Sequence, residues 1–117
     1  MSINIRQKGQ EGEREVARAL NSIVTSLLEA AKLPDPKMPY FQRNQNQSAV
    51  GGSDLTNPFG LAIEVKRQEA FAVNTWWKQC IVSAQKTGEV PILVYRKNKM
   101  SWRVIMFADV PVGDGVS

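Results

Sequence analysis

The 117-residue chain reads as a single α/β domain, a central mixed sheet of four to five strands flanked by helices. Three observations predict that class: a long helical period opens the chain, strand-like apolar runs follow, and a second helical stretch separates two of those runs. The length allows one hydrophobic core, so one domain over 1–117 is expected, with its core from about 8 to 107.

From Gly9 to Lys32, steps of about 100° put Val16, Ala17, Leu20, Ile23, Val24, Leu27, Leu28 and Ala31 on one broad face. Pro34 ends this helix, and Leu33 to Pro39 forms a stiff connector. Tyr40 to Arg43 suggests a short strand, and Asn44 to Gly52 a polar loop. A hairpin follows, with strands Ser53 to Thr56 and Leu61 to Lys66 around a turn at Asn57 to Gly60. Asn74 to Thr87 reads as a second helix packing Trp77, Cys80, Ile81 and Ala84, with Trp76 exposed or at a dimer contact. Gly88 is its stop. The apolar run Val90 to Tyr95 suits a strand covered on both faces. Arg96, Lys97, Asn98 and Lys99 then turn the chain into a last strand, Trp102 to Phe107, before a short tail from Pro111.

The chain has no histidine and one cysteine. Ser-His-Asp hydrolysis, histidine-based nuclease chemistry and His/Cys zinc sites are thereby excluded, leaving carboxylates, lysine, hydroxyls or a metal held by oxygen ligands. Cys80 permits no internal disulfide, and no apolar run approaches the roughly 18 residues of a membrane span, so a cytoplasmic location is expected. The net charge of +4 and pI near 9.5 point weakly to a polyanionic partner.

The hairpin concentrates the chemistry. Strand alternation puts Glu64 and Lys66 on one face and Ile63 and Val65 on the other. A four-residue loop would pair residue 54 with 63 and turn Asp54 away. A three-residue loop, Pro58 to Gly60, pairs 54 with 64 and brings both carboxylates to one face, and Gly60 suits the left-handed position such loops need. That odd loop, or an equivalent bulge, is the expectation. Two adjacent carboxylates repel unless a cation joins them, and Mg²⁺ (with Mn²⁺ as a substitute) fits such donors. Lys66 would orient water or stabilise charge on phosphate. The alternative is a solvated surface hairpin. Glu13 bears on that choice, because it projects toward the apolar face with Leu20, Val24 and Ala31, where an acid is costly unless paired, metal-bound or able to snorkel outward.

The segment Lys8, Gly9, Gln10, Glu11, Gly12, Glu13, Arg14, Glu15 resembles the opening Lys-Gly-x-x-x-Glu-Arg-Glu of the archaeal Holliday-junction resolvases, a branch of the PD-(D/E)XK nucleases. Arg43, the Ser-containing loop and Asp54 are similar to that family's Arg…Ser…Asp segment, and Ile63 to Lys66 to its Glu-x-Lys strand. Val90 to Val94 and Ser101 to Val104 resemble its closing strands, so the likeness covers most of 8–107. It implies a restriction-endonuclease-like fold and Mg²⁺-dependent cleavage of DNA, with Glu13, Asp54, Glu64 and Lys66 catalytic. Asp54, Glu64, the Val65 carbonyl and Glu13 would hold the metal, and Arg43 and Ser48 would contact the phosphate or junction. The Pro-rich connector and the Asn74 to Gln79 helix start depart from the resolvase pattern. Gln79 is a possible support for the site, or simply an amphipathic helix position.

Arg96, Lys97, Lys99 and Arg103 cluster around one hairpin, and Arg67 follows Lys66; together with Arg14 these are candidate DNA contacts. A solvated turn explains the hairpin cluster equally well. Symmetric cutting of a four-way junction would call for a homodimer. The competing functions are a less selective nuclease on single-stranded or duplex DNA, and a non-catalytic DNA-binding module.

Overall fold

The computed structural model describes residues 5–34, 39–45, 53–97, 99–109 and 111–113. Helix α1 (Ile5–Ala30) precedes the short strands β1 (Gln42–Arg43) and β2 (Leu55–Thr56). Then come β3 (Leu61–Arg67), helix α2 (Val73–Thr87), β4 (Val90–Arg96) and β5 (Arg103–Met106). The five strands form one sheet in the order β1-β2-β3-β4-β5. Among the described residues only β3 and β4 run parallel, because α2 carries the chain back across the sheet between them. The molecule is therefore an α/β fold with a mixed five-stranded sheet and two helices, consistent with the restriction-endonuclease-like architecture.

Alternation along β3 and β4 divides the core in two. Ile63, Val65 and Val94 pack with Val16, Ala17, Phe41 and Leu55 on the α1 side. Leu93 and Tyr95 pack with Trp76 and Cys80 on the α2 side. Strand β4 is thus covered on both faces, as its apolar run requires. Glycine serves one close approach: a side-chain carbon at Gly12 would lie 3.3 Å from the Arg67 Cβ, so α1 crosses near the end of β3 where it has no side chain.

Three expectations change. The inward stripe of α1 is narrower than the sequence suggests, since Ile23 and Leu27 are 55% and 63% exposed. Asn21 already meets the edge of the sheet, exchanging two 2.8 Å hydrogen bonds with the backbone of Phe41 just before β1. Beyond that point no further strand covers the helix among the described residues. The same bonds shorten β1, because the Phe41 backbone is engaged by a side chain rather than a ladder. The two tryptophans also exchange roles. Trp76 is the buried one, tilted against Tyr95 and edge-on to Phe71, while Trp77 lies half-buried against Phe107. The inward series of α2 runs Val73, Trp76, Cys80, Ala84, the face that meets Leu93 and Tyr95. Gly88 closes α2 in the left-handed conformation expected of it. Among the described residues, no helix is long and apolar enough to cross a membrane.

Candidate active site

The hairpin between β2 and β3 sets the geometry. Leu55 pairs with Ile63, the register of the three-residue loop 58–60, and Gly60 takes φ +73°. Asn57 holds the turn: its Oδ1 accepts from the N–H groups of Phe59 and Leu61 at 2.9 and 3.2 Å, and its Nδ2 donates to the Leu61 carbonyl at 2.7 Å. The Asp54 N–H also donates to Ile63 O, so two consecutive residues address one residue of β3, in the manner of a bulge.

Leu55, Ile63 and Val65 all face α1, so Glu64 and Lys66 fall on the other side of β3, and Asp54 joins them. The Asp54 and Glu64 side chains hydrogen-bond to each other. The Val65 N–H donates to Asp54 Oδ2 at 2.7 Å. A strand residue directs its N–H and C=O to the same edge, so the Val65 carbonyl also faces the Asp54 side.

Burial, then the adjoining Asp54 carboxylate, pushes Glu64 up to about 8, against the opposing charge of Lys66. Burial also raises Asp54, while the Val65 N–H, the bond with Glu64 and the charges of Lys66 and Arg43 pull the other way. Two carboxyls that favour a shared proton form a donor pair suited to a hard divalent cation, which would replace that proton.

Glu13 is buried, 8% exposed, and its negative charge reaches Glu64. It approaches from the α1 side, where Arg43 Nε donates to its Oε2 at 2.8 Å. Among the described residues no group of three acidic or sulfur side chains is gathered closely enough to hold a metal ion. Asp54 and Glu64 are in direct contact, while Glu13 acts on Glu64 through its charge.

The basic residues divide into engaged and exposed groups. Arg96 Nη2 contacts both Glu15 oxygens at 2.9 and 3.0 Å, and its guanidinium stacks 4.9 Å from the Trp102 ring. Arg67 Nη1 lies 3.5 Å from Glu15 and 3.8 Å from Glu11. Lys97 sits over the Phe71 ring. Arg14, Lys99 and Arg103 are exposed. Ser48 lies outside the described residues. Gln79 is exposed on α2 beside Lys78, Val82 and Ser83, because its neighbour Cys80 takes the inward position.

Sequence reasoning passed over Asn57, Asn21 and Arg18. An Asn opening a Pro/Gly turn was the available sign for Asn57. Arg18, one turn after Arg14, carries no sign until the fold brings Arg67 and Arg96 beside it.

The family model described as "Phage putative PDDEXK endonuclease" matches residues 4–116, nearly the whole chain. No curated protein and no solved structure gives a significant match. With Asp54, Glu64 and Lys66 gathered on one hairpin and the family match extending over both helices and all five strands, the chain belongs to the phage PD-(D/E)XK endonuclease family.

Proposed function

We propose that this protein hydrolyses DNA phosphodiester bonds with a divalent cation, Mg²⁺ or in its place Mn²⁺, held by Asp54, Glu64 and the Val65 carbonyl. The observation that carries this reading is the half-buried, hydrogen-bonded Asp54–Glu64 pair with Lys66 on the same face of β3. When bound, the cation supplies Lewis acidity toward the phosphate.

The protein's own groups do the rest. Asp54 is fixed by the Val65 N–H, so its second oxygen is aimed without rotamer freedom. Glu64 gives up its proton on loading. The Lys66 ammonium orients the attacking water and stabilises charge on the phosphate oxygens. Glu13 holds Arg43 beside Asp54, and in this reading Arg43 positions the site and presents its exposed edge to the DNA. The exposed Arg14, Lys99 and Arg103, with Lys97, contribute backbone contacts.

The likeness to resolvases supports a finer reading, selective cutting of four-way junctions by a homodimer with Ser48 at the junction. One assay tests both levels. Duplex, single-stranded and four-way-junction DNA are incubated with the protein and Mg²⁺. Cleavage abolished by Glu64→Gln and Lys66→Ala, with DNA binding kept, is the expected result. Activity unchanged by both variants would refute the catalytic reading. Equal rates on duplex and junction would remove the finer one alone.

A further inference from the structure

On the α1 side of the sheet, across β3 from Lys66, lies a cavity of about 380 Å³ lined by Glu11, Arg14, Glu15, Arg18, Arg67 and Arg96. Four arginines face two glutamates there, an excess of two positive charges. Glu15 engages Arg96 closely and Arg67 loosely. Arg14 and Arg18, one helical turn apart, have no ion-pair partner among the described residues. Among the described residues, the Nε atoms of both Arg67 and Arg96 are buried without a hydrogen-bond partner.

A buried N–H left unpaired is costly, and two on adjacent guanidiniums at one cavity call for an acceptor. The two residues stand side by side at the ends of paired strands, Arg67 opposite Arg96, which fixes the spacing of their planar forks. Planar forks match the oxygens of a phosphate. Arg14 and Arg18 also line a second cavity of about 410 Å³ that extends to Asn21, Phe41 and Arg43. Arg43 is the partner of Glu13, so a basic track leads from the first cavity over α1 to the edge of the acidic pair.

We propose that this arginine cavity binds a backbone phosphate of the DNA strand flanking the bond to be cut, with Arg14 and Arg18 closing on it and the Arg67 and Arg96 guanidiniums turning to bring their Nε–H groups into its hydrogen bonds. The inference rests on the DNA-cleaving reading and adds to it a binding subsite separate from the acids. Glu15 acts as the resting counter-charge, an internal stand-in that the phosphate displaces in part.

The test observes the arginine Nε–H signals of the full-length ¹⁵N-labelled protein by NMR during titration with inorganic phosphate and, separately, with a short DNA duplex in the Glu64→Gln background. Saturable shifts of the Arg67 and Arg96 signals with DNA are expected, weakened by Arg14→Gln/Arg18→Gln and strengthened by Glu15→Gln. In binding measured against salt, the double arginine variant should reduce the slope of log K on log salt by about 0.9 for the lost phosphate. Its KM should rise about tenfold while the single-turnover rate at saturating DNA stays within about twofold. Signals that move with phosphate but not with DNA would overturn the proposal in favour of a small-anion site. Unchanged signals and slope would overturn it outright. Failure of the wild type to cut any DNA would instead count against the cleavage reading, and the Nε–H titration would still decide the subsite.

Discussion

Arg43 Nε and Glu13 Oε2 lie 2.8 Å apart across thirty residues of sequence, joining the first helix to the first strand beside the acidic pair. Glu13 is buried and its charge reaches Glu64, so removing the Arg43 guanidinium weakens the compensation of a buried carboxylate near the acidic pair. Arg43→Met should therefore lower stability by about 3 kcal/mol in urea denaturation. The double variant Glu13→Gln/Arg43→Met should recover more than half of that loss. A cycle in which the two substitutions simply add would show that the pair is not coupled.

Protonation of Glu64 gives a second expectation, with its sign fixed by linkage. Its carboxyl is raised from an ordinary 4.5 to about 8, so the folded protein holds a proton that the unfolded chain releases earlier. That contribution is complete below about pH 4.5 and is lost as pH rises to about 8. In EDTA, the wild-type Tm should fall across this window relative to Glu64→Gln, leaving the variant higher by about 5 °C at pH 8.5. Adding Mg²⁺ should raise the wild type and leave the variant little changed. Parallel Tm curves for the two proteins would contradict the shift.

The turn that sets the site can be probed at Gly60. Its φ of +73° disfavours any side chain, while nothing lies within 4 Å of an added Cβ. Gly60→Ala should then cost about 1–2 kcal/mol through backbone conformation alone, and Gly60→Asn less. Inserting one residue between Pro58 and Phe59 changes the parity of the loop and should separate Asp54 from Glu64. Circular dichroism would remain that of the folded protein while Mg²⁺-dependent stabilisation disappears. Stabilisation retained by a folded insertion variant would show that the register does not control the pair.

Cys80 supplies a probe of opening. It is fully buried, and burial together with the Glu64 charge pushes its thiol up to about 11. Alkylation by iodoacetamide at pH 8 should be at least about a hundredfold slower than in the unfolded chain, and should track global stability across variants. Rapid labelling of the native protein would mean that α2 lifts readily from the sheet.

Periodicity and turn chemistry made much of this molecule legible. Alternation alone assigned Ile63 and Val65 to one face and Glu64 to the other, and the apolar run of β4 announced a strand buried on both sides. Gly60 disclosed the parity of its loop because few residues accept its conformation. What stayed hidden depended on where elements end in space. The exposure of Ile23 and Leu27 follows from the edge of the sheet at β1, which no helical period encodes. The burial of Trp76 over Trp77 turned on which face of α2 meets Leu93 and Tyr95. Arg67 and Arg96 looked like free contacts in the sequence, and only the crossing of α1 brings Glu15 to them.

The bond from Val65 to Asp54 has a consequence for observing the protein at work. Its neighbours in β3 belong to a seven-residue parallel ladder with β4, whereas the Val65 amide hydrogen is guarded by a side chain standing at the end of a two-residue strand. Its exchange with solvent deuterium therefore reports the Asp54 carboxylate and not the sheet. Val65 should exchange faster than Leu93 or Val94 in the metal-free protein, and slow when Mg²⁺ fixes Asp54 in place. A single backbone amide thus reads out the order of the active centre without substrate.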